Sequence, residues 1–73
     1  MSVEFVLCEM PEGAPQQEYY IHQRNGNIGD LYYDEKTNAY EVYLDGAGFL
    51  TQLEMETILA KVQQLNAALR GTP

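Results

Sequence analysis

Seventy-three residues carrying 45% hydrophobic content, six tyrosines and two phenylalanines have the size and apolar fraction of one small folded domain rather than of a disordered tail. Eleven acids against four bases give a formal charge of −7, which excludes binding to nucleic acid or an anionic membrane through a positive patch and leaves basic proteins, cations or neutral surfaces as partners. A single cysteine, Cys8, excludes an internal disulfide and a cysteine-based zinc site, and it fits a reducing cytoplasm.

The chain opens on "SVEFVLCE", where Val3, Phe5 and Leu7 alternate with Glu4, Val6 and Cys8. Period-2 alternation predicts a first strand over residues 2–9. The segment has no basic start and no long apolar run, so neither a signal peptide nor a membrane span is expected. "MPEGAPQQ" follows as a loop, because its prolines cannot donate to a strand ladder.

"EYYIHQ" predicts a second strand over 18–23, and "RNGNIG" a turn built on Asn25-Gly26. "DLYYD" predicts a third strand over 30–34, "EKTN" a four-residue turn, and "AYEVYL" a fourth strand over 39–44, which "DGAG" breaks. In the second hairpin this register pairs Tyr33 with Tyr40, Leu31 with Val42, Tyr32 with Glu41 and Asp30 with Tyr43. In the first, a three-residue loop of Asn25, Gly26 and Asn27 pairs Ile21 with Leu31 and Tyr19 with Tyr33, and sets His22 beside Asp30. A two-residue turn would place Ile21 opposite Asp30, an apolar residue against an acid, and a one-residue slip swaps faces.

Thr51 and Glu54 form a capping-box signature, "TQLE". Met55, Ile58, Val62, Leu65 and Leu69 then recur at spacings of three and four, Leu59 widens the stripe, and Gly71 stands where a helix stop belongs. These signals predict a helix over 52–70.

The expected fold is one α+β domain spanning 1–73. It is an antiparallel four-stranded meander, β1-β2-β3-β4, with the C-terminal helix packed on one face. That face carries Val3, Phe5, Leu7, Tyr19, Ile21, Leu31, Tyr33, Tyr40, Val42 and Leu44. The opposite face has no element to cover it. It carries Tyr20, Tyr32 and Tyr43 among Glu18, His22, Asp30, Asp34 and Glu41.

Motifs for catalysis and cofactors are missing from the pattern. His22 is the only histidine and has no adjacent nucleophile or pocket. "DEKTNAYE" puts Lys36 where a calcium loop needs an oxygen, and no glycine follows. "DGAG" and "GNIG" lack the spacing of a phosphate-binding loop. The expectation is therefore no enzyme, no metal and no cofactor.

What remains is an acidic interaction protein, an inhibitor or adaptor. It would occupy a basic, nucleic-acid-binding surface of a protein partner through Tyr20, His22, Asp30, Tyr32, Asp34, Glu41 and Tyr43, without touching nucleic acid itself. Carboxylates on a rigid sheet imitate phosphates, and tyrosine is enriched at interfaces. Accessory proteins of phages and mobile elements are similar in size and charge, an analogy of type alone. The second reading is a structural module that forms a homodimer through the open sheet face or the helix.

Overall fold

A computed structural model describes residues 3–24, 26–45 and 49–71. They form β1 (Val3–Leu7), β2 (Tyr19–Gln23), β3 (Gly26–Asp34), β4 (Ala39–Leu44) and α1 (Gln52–Leu69). The strands make one antiparallel sheet in the order β1-β2-β3-β4, with α1 across one face. The α+β meander expected from the sequence is thus the observed architecture. Three expected features lie outside the described residues: the start of β1 at Ser2, the turn residue Asn25, and the break over 46–48.

The β3–β4 hairpin has the expected register throughout, with Leu31 opposite Val42 and Tyr33 opposite Tyr40. Its four-residue turn is set by Asp34. The Asp34 side chain accepts from the Lys36 N–H at 3.0 Å, and its carbonyl accepts from the Asn38 N–H at 2.8 Å. Asn38 takes the left-handed conformation, φ 55°, that asparagine tolerates.

The β2–β3 hairpin departs from expectation. Ile21 stands opposite Gly29, and Tyr19 opposite Leu31, two positions away from the expected pairing. The expected pairs Ile21–Leu31 and Tyr19–Tyr33 do not form, and neither does the His22–Asp30 neighbourhood. From Tyr19 to Ile21 the slip is two residues, so the tyrosines and Asp30 keep their faces. Two features produce it. Arg24 adopts φ 56° in the tight connection, so Gly26 and Asn27 belong to the strand and β3 starts four residues earlier than expected. A bulge between Ile21 and His22 then absorbs one extra residue of β3. The Asn27 side-chain oxygen accepts from the Gly29 N–H at 3.0 Å within that bulge.

The bulge turns Ile28 into the core, a residue that alternation alone assigned to a turn. Gly29 is required by close approach: a Cβ there would strike the Tyr43 carbonyl oxygen and lie 3.0 Å from the Leu44 Cα. The buried apolar cluster is Val3, Ile21, Ile28, Leu31, Tyr40 and Ile58, with Ile21 and Leu31 fully inaccessible. Phe5, Tyr19, Tyr33, Val42, Leu50, Val62, Leu65 and Leu69 pack around it.

Four residues expected in the apolar layer are exposed instead: Leu7, Leu44, Met55 and Leu59. Leu7 and Leu44 end the two edge strands. Met55 and Leu59 lie roughly 60° and 100° round the helix from Ile58, on its flank.

The capping box forms. Thr51 Oγ1 accepts from the Glu54 N–H at 3.1 Å, and Glu54 Oε1 accepts from the Thr51 N–H at 2.9 Å. The same Glu54 carboxylate is buried and accepts from Gln23 Nε2 at 3.1 Å, while Gln23 also donates to the Phe49 carbonyl at 3.0 Å. The helix start is therefore tied to the end of β2. At the other end, the Tyr40 N–H donates to Asn66 Oδ1 at 2.7 Å, which holds the helix over β4.

Candidate functional site

The candidate site is the sheet face that α1 leaves bare. Strand alternation sends Val6, Tyr20, Asp30 and Tyr43 to this side, and the register makes them consecutive neighbours across all four strands. Asp30 therefore sits between two tyrosines, Tyr20 on β2 and Tyr43 on β4. Both rings are exposed and Asp30 is half-buried. The next row toward the β3–β4 turn holds Tyr32 opposite Glu41. The Tyr32 hydroxyl donates to Glu41 Oε1 at 3.0 Å, which fixes both side chains in one geometry. That hydrogen bond, followed by the Glu41 charge, raises the Tyr32 pKa from its usual 10.0.

His22 stands at the opposite end of this face. Its cross-strand neighbours are Glu4 on β1 and Asn27 on β3, and its ring centroid lies 6.5 Å from that of Tyr20. Asp34 ends β3 opposite Ala39 and is engaged in the turn described above. The structure thus brings Tyr20, Asp30, Tyr43, Tyr32 and Glu41 into one patch, flanked by His22. It leaves Asp34 at the rim with a structural task of its own.

Glu18 belongs with this patch in a way that the sequence did not suggest. Its Oε2 accepts from the Tyr33 N–H at 3.2 Å, so the carboxylate extends the β2–β3 ladder by one rung where β2 has not yet begun. Its carbonyl accepts from the Cys8 N–H at 2.9 Å, which closes the base of the 8–18 loop. Gln17 Nε2 reinforces the closure, donating to the carbonyls of Cys8 at 2.8 Å and Glu18 at 3.0 Å.

The loop end forms a rim beside the patch. Cys8, Glu9, Met10 and Pro11 border a shallow open depression whose floor is Glu18, Tyr20, Asp30 and Tyr32. Burial, and then the charges of Glu18 and Asp30, hold the Cys8 thiol above its ordinary pKa of 9.0. The thiol is thereby a weaker nucleophile at neutral pH.

Chemically, the patch offers carboxylate acceptors spaced between phenol rings on a rigid strand framework. Such a surface can accept hydrogen bonds and ion pairs from lysine or arginine, and its ring faces attract the same cations. Among the described residues, no group of three or more His, Cys, Asp or Glu side chains is arranged to hold a metal ion. Among the same residues, no helix is long and apolar enough to cross a membrane. Comparison with known proteins finds no matching family model, no matching curated protein and no matching solved structure.

Proposed function

We propose that this chain is a small, non-enzymatic, acidic interaction module, an inhibitor or adaptor of the cytoplasm. It occupies a basic, nucleic-acid-binding surface of a protein partner through its bare sheet face. The single observation that supports this reading most is the Tyr20–Asp30–Tyr43 row with the Tyr32–Glu41 pair beside it, lying on the face that α1 does not cover. The net charge of −7 supports it as well, since a negative field speeds encounter with a positive surface. His22 and Asp34 flank the contact and extend it along the strands.

The test is affinity capture from host lysate with the native chain and with the Tyr32→Ser/Tyr43→Ser double variant, read by mass spectrometry. The native chain is expected to enrich basic nucleic-acid-binding proteins that the variant loses. Enrichment should fall as salt rises from about 0.05 M to about 0.5 M, because exposed charges are screened within a few ångströms at the upper end. Identical capture by both chains, or capture indifferent to salt, removes this function.

A further inference from the structure

The two flanks of α1 are finished differently. On the β1 side, the Lys61 ammonium lies 4.8 Å from the Tyr19 ring centroid and 5.7 Å from that of Phe5, closing the gap with its stem and charge. On the β4 side the gap stays open. A groove there is lined by Val42, Leu44, Leu50, Met55, Leu59 and Val62, with Ile58 at its base, and none of these side chains carries charge or a hydrogen-bonding group.

The strand that borders the groove is also open. The Tyr40 N–H points away from β3, toward Asn66. Backbone direction alternates along a strand, so Val42 and Leu44 also turn their N–H and C=O groups away from β3. Among the described residues, then, β4 presents at Val42 and Leu44 an edge that no other strand pairs, directly beside an apolar trough.

We propose that a second copy of this chain covers this groove, pairing β4 edge to β4 edge across a two-fold axis. Three observations single out this occupant. First, an edge that offers both a donor and an acceptor from the same residues is complementary to itself, as a two-fold interface requires. Second, two chains of charge −7 repel least when they meet through an uncharged surface, and the groove is one, while Asp30, Tyr32 and Glu41 face the other side of the sheet. A basic partner would find no counter-charge in it.

Third, the area fits a weak, reversible pair. A large apolar side chain presents about 200 Å² when fully exposed. Exposures of 42% at Leu44, 51% at Met55 and 55% at Leu59 therefore leave roughly 300 Å² of apolar surface in the groove, the size of a patch that often serves contact. Two copies bury about twice that together with the strand edges, which falls below about 1,200 Å², the range of weak, transient pairs. Such an interface corresponds to micromolar rather than nanomolar affinity.

The experiment is sedimentation equilibrium on the full chain from about 1 μM to about 500 μM, a range that brackets the expected dissociation constant. The expected result is a reversible species at twice the 8.3 kDa chain mass. Leu59→Glu and Leu44→Lys should each raise the dissociation constant at least about tenfold, with the helix signal in circular dichroism retained. Lys36→Ala, in the distant β3–β4 turn, should leave it unchanged. If Leu59→Glu loses its helix signal, Leu44→Lys and Met55→Lys carry the comparison. A monomer across the whole range, an open-ended assembly, a dimer that none of the groove variants weakens, or a monomer whose groove instead takes up an amphipathic peptide overturns the proposal. Glu41 and Tyr43 share β4 with this seam but face the opposite side of the sheet, and the acidic face is tested separately by partner capture.

Discussion

The two faces of the sheet differ in what holds them. On the helix side, a buried cluster, a capping carboxylate shared with Gln23 and a glycine pressed against β4 all depend on one another. On the bare side, rings and acids meet in cross-strand pairs, and the clearest fixed contact between their side chains is Tyr32 to Glu41. Burial of large apolar groups contributes roughly 1.5–3 kcal/mol each, whereas cross-strand pairs on a solvated face contribute about 0.2–1 kcal/mol. The lesson is one of freedom: residues that the fold does not depend on can be chosen for contact with something else.

Substitutions should expose this asymmetry by their cost. Ile58→Ala removes a buried side chain at the centre of the helix contact and should destabilise by about 2–5 kcal/mol in chemical denaturation. With so small a core, part of the population should then be unfolded at room temperature. Gly29→Ala should cost about 1–3 kcal/mol, because the added methyl meets backbone rather than a movable side chain. A near-native midpoint for Gly29→Ala would mean that β3 and β4 are further apart at the bulge than described.

Glu54→Ala breaks the cap and the link to Gln23 together, and about 1–3 kcal/mol is expected. Glu54→Gln keeps an acceptor oxygen and should lose less. Equal losses in the two would show that the carboxylate acts through charge alone. Tyr40→Phe removes the hydroxyl that donates to the Gln17 carbonyl at 2.6 Å and should cost about 1 kcal/mol.

Tyr40 also makes a pH prediction. Burial, with Tyr19, Glu18 and Tyr33 nearby, raises its pKa above the 10.0 of a free phenol. The folded chain therefore holds the phenol proton more tightly than the unfolded chain does. That contribution to stability is complete below pH 10 and is lost as pH rises through the unfolded value toward the folded one. Thermal melts of the native chain should fall in that alkaline window, and Tyr40→Phe should flatten the fall. A native melting temperature constant across it would contradict the burial of the hydroxyl. On the bare face, by contrast, Asp30→Lys and Glu41→Lys should change stability by no more than about 0.5 kcal/mol, the smallest effect of the series.

Legibility from the sequence followed the same division. The helix, its capping box and the β3–β4 register were readable because each rests on local signals: Thr51 with Glu54, a four-residue turn, and strict alternation. The β2–β3 hairpin was not, because two glycines and two asparagines in "NGNIG" fit several loops equally well. Asn27 and Gly29 turn out to serve a bulge inside the strand, and Ile28 enters the core by that route. The tyrosine faces survived this misreading only because the slip was an even number of residues.

The edges of the fold were also hidden. Leu44, Met55 and Leu59 carry the period of buried residues, yet they are exposed, Leu44 at the end of β4 and the other two on the flank of the helix. The seven residues assigned to the site were visible as alternating polar and aromatic positions. The two rows into which five of them sort, and the part Glu18 plays beside them, depend on pairing that periodicity does not specify.

The central claim is that the bare face is free of folding duty and available for a basic partner. The direct measurement compares the native chain with Asp30→Lys/Glu41→Lys, leaving Asp34 to hold its turn, against one captured partner by titration calorimetry. The account predicts an unchanged melting temperature, an affinity lower by at least about tenfold, and a weaker dependence on salt. Native-like binding by the charge-reversed chain, or its failure to fold, contradicts the account.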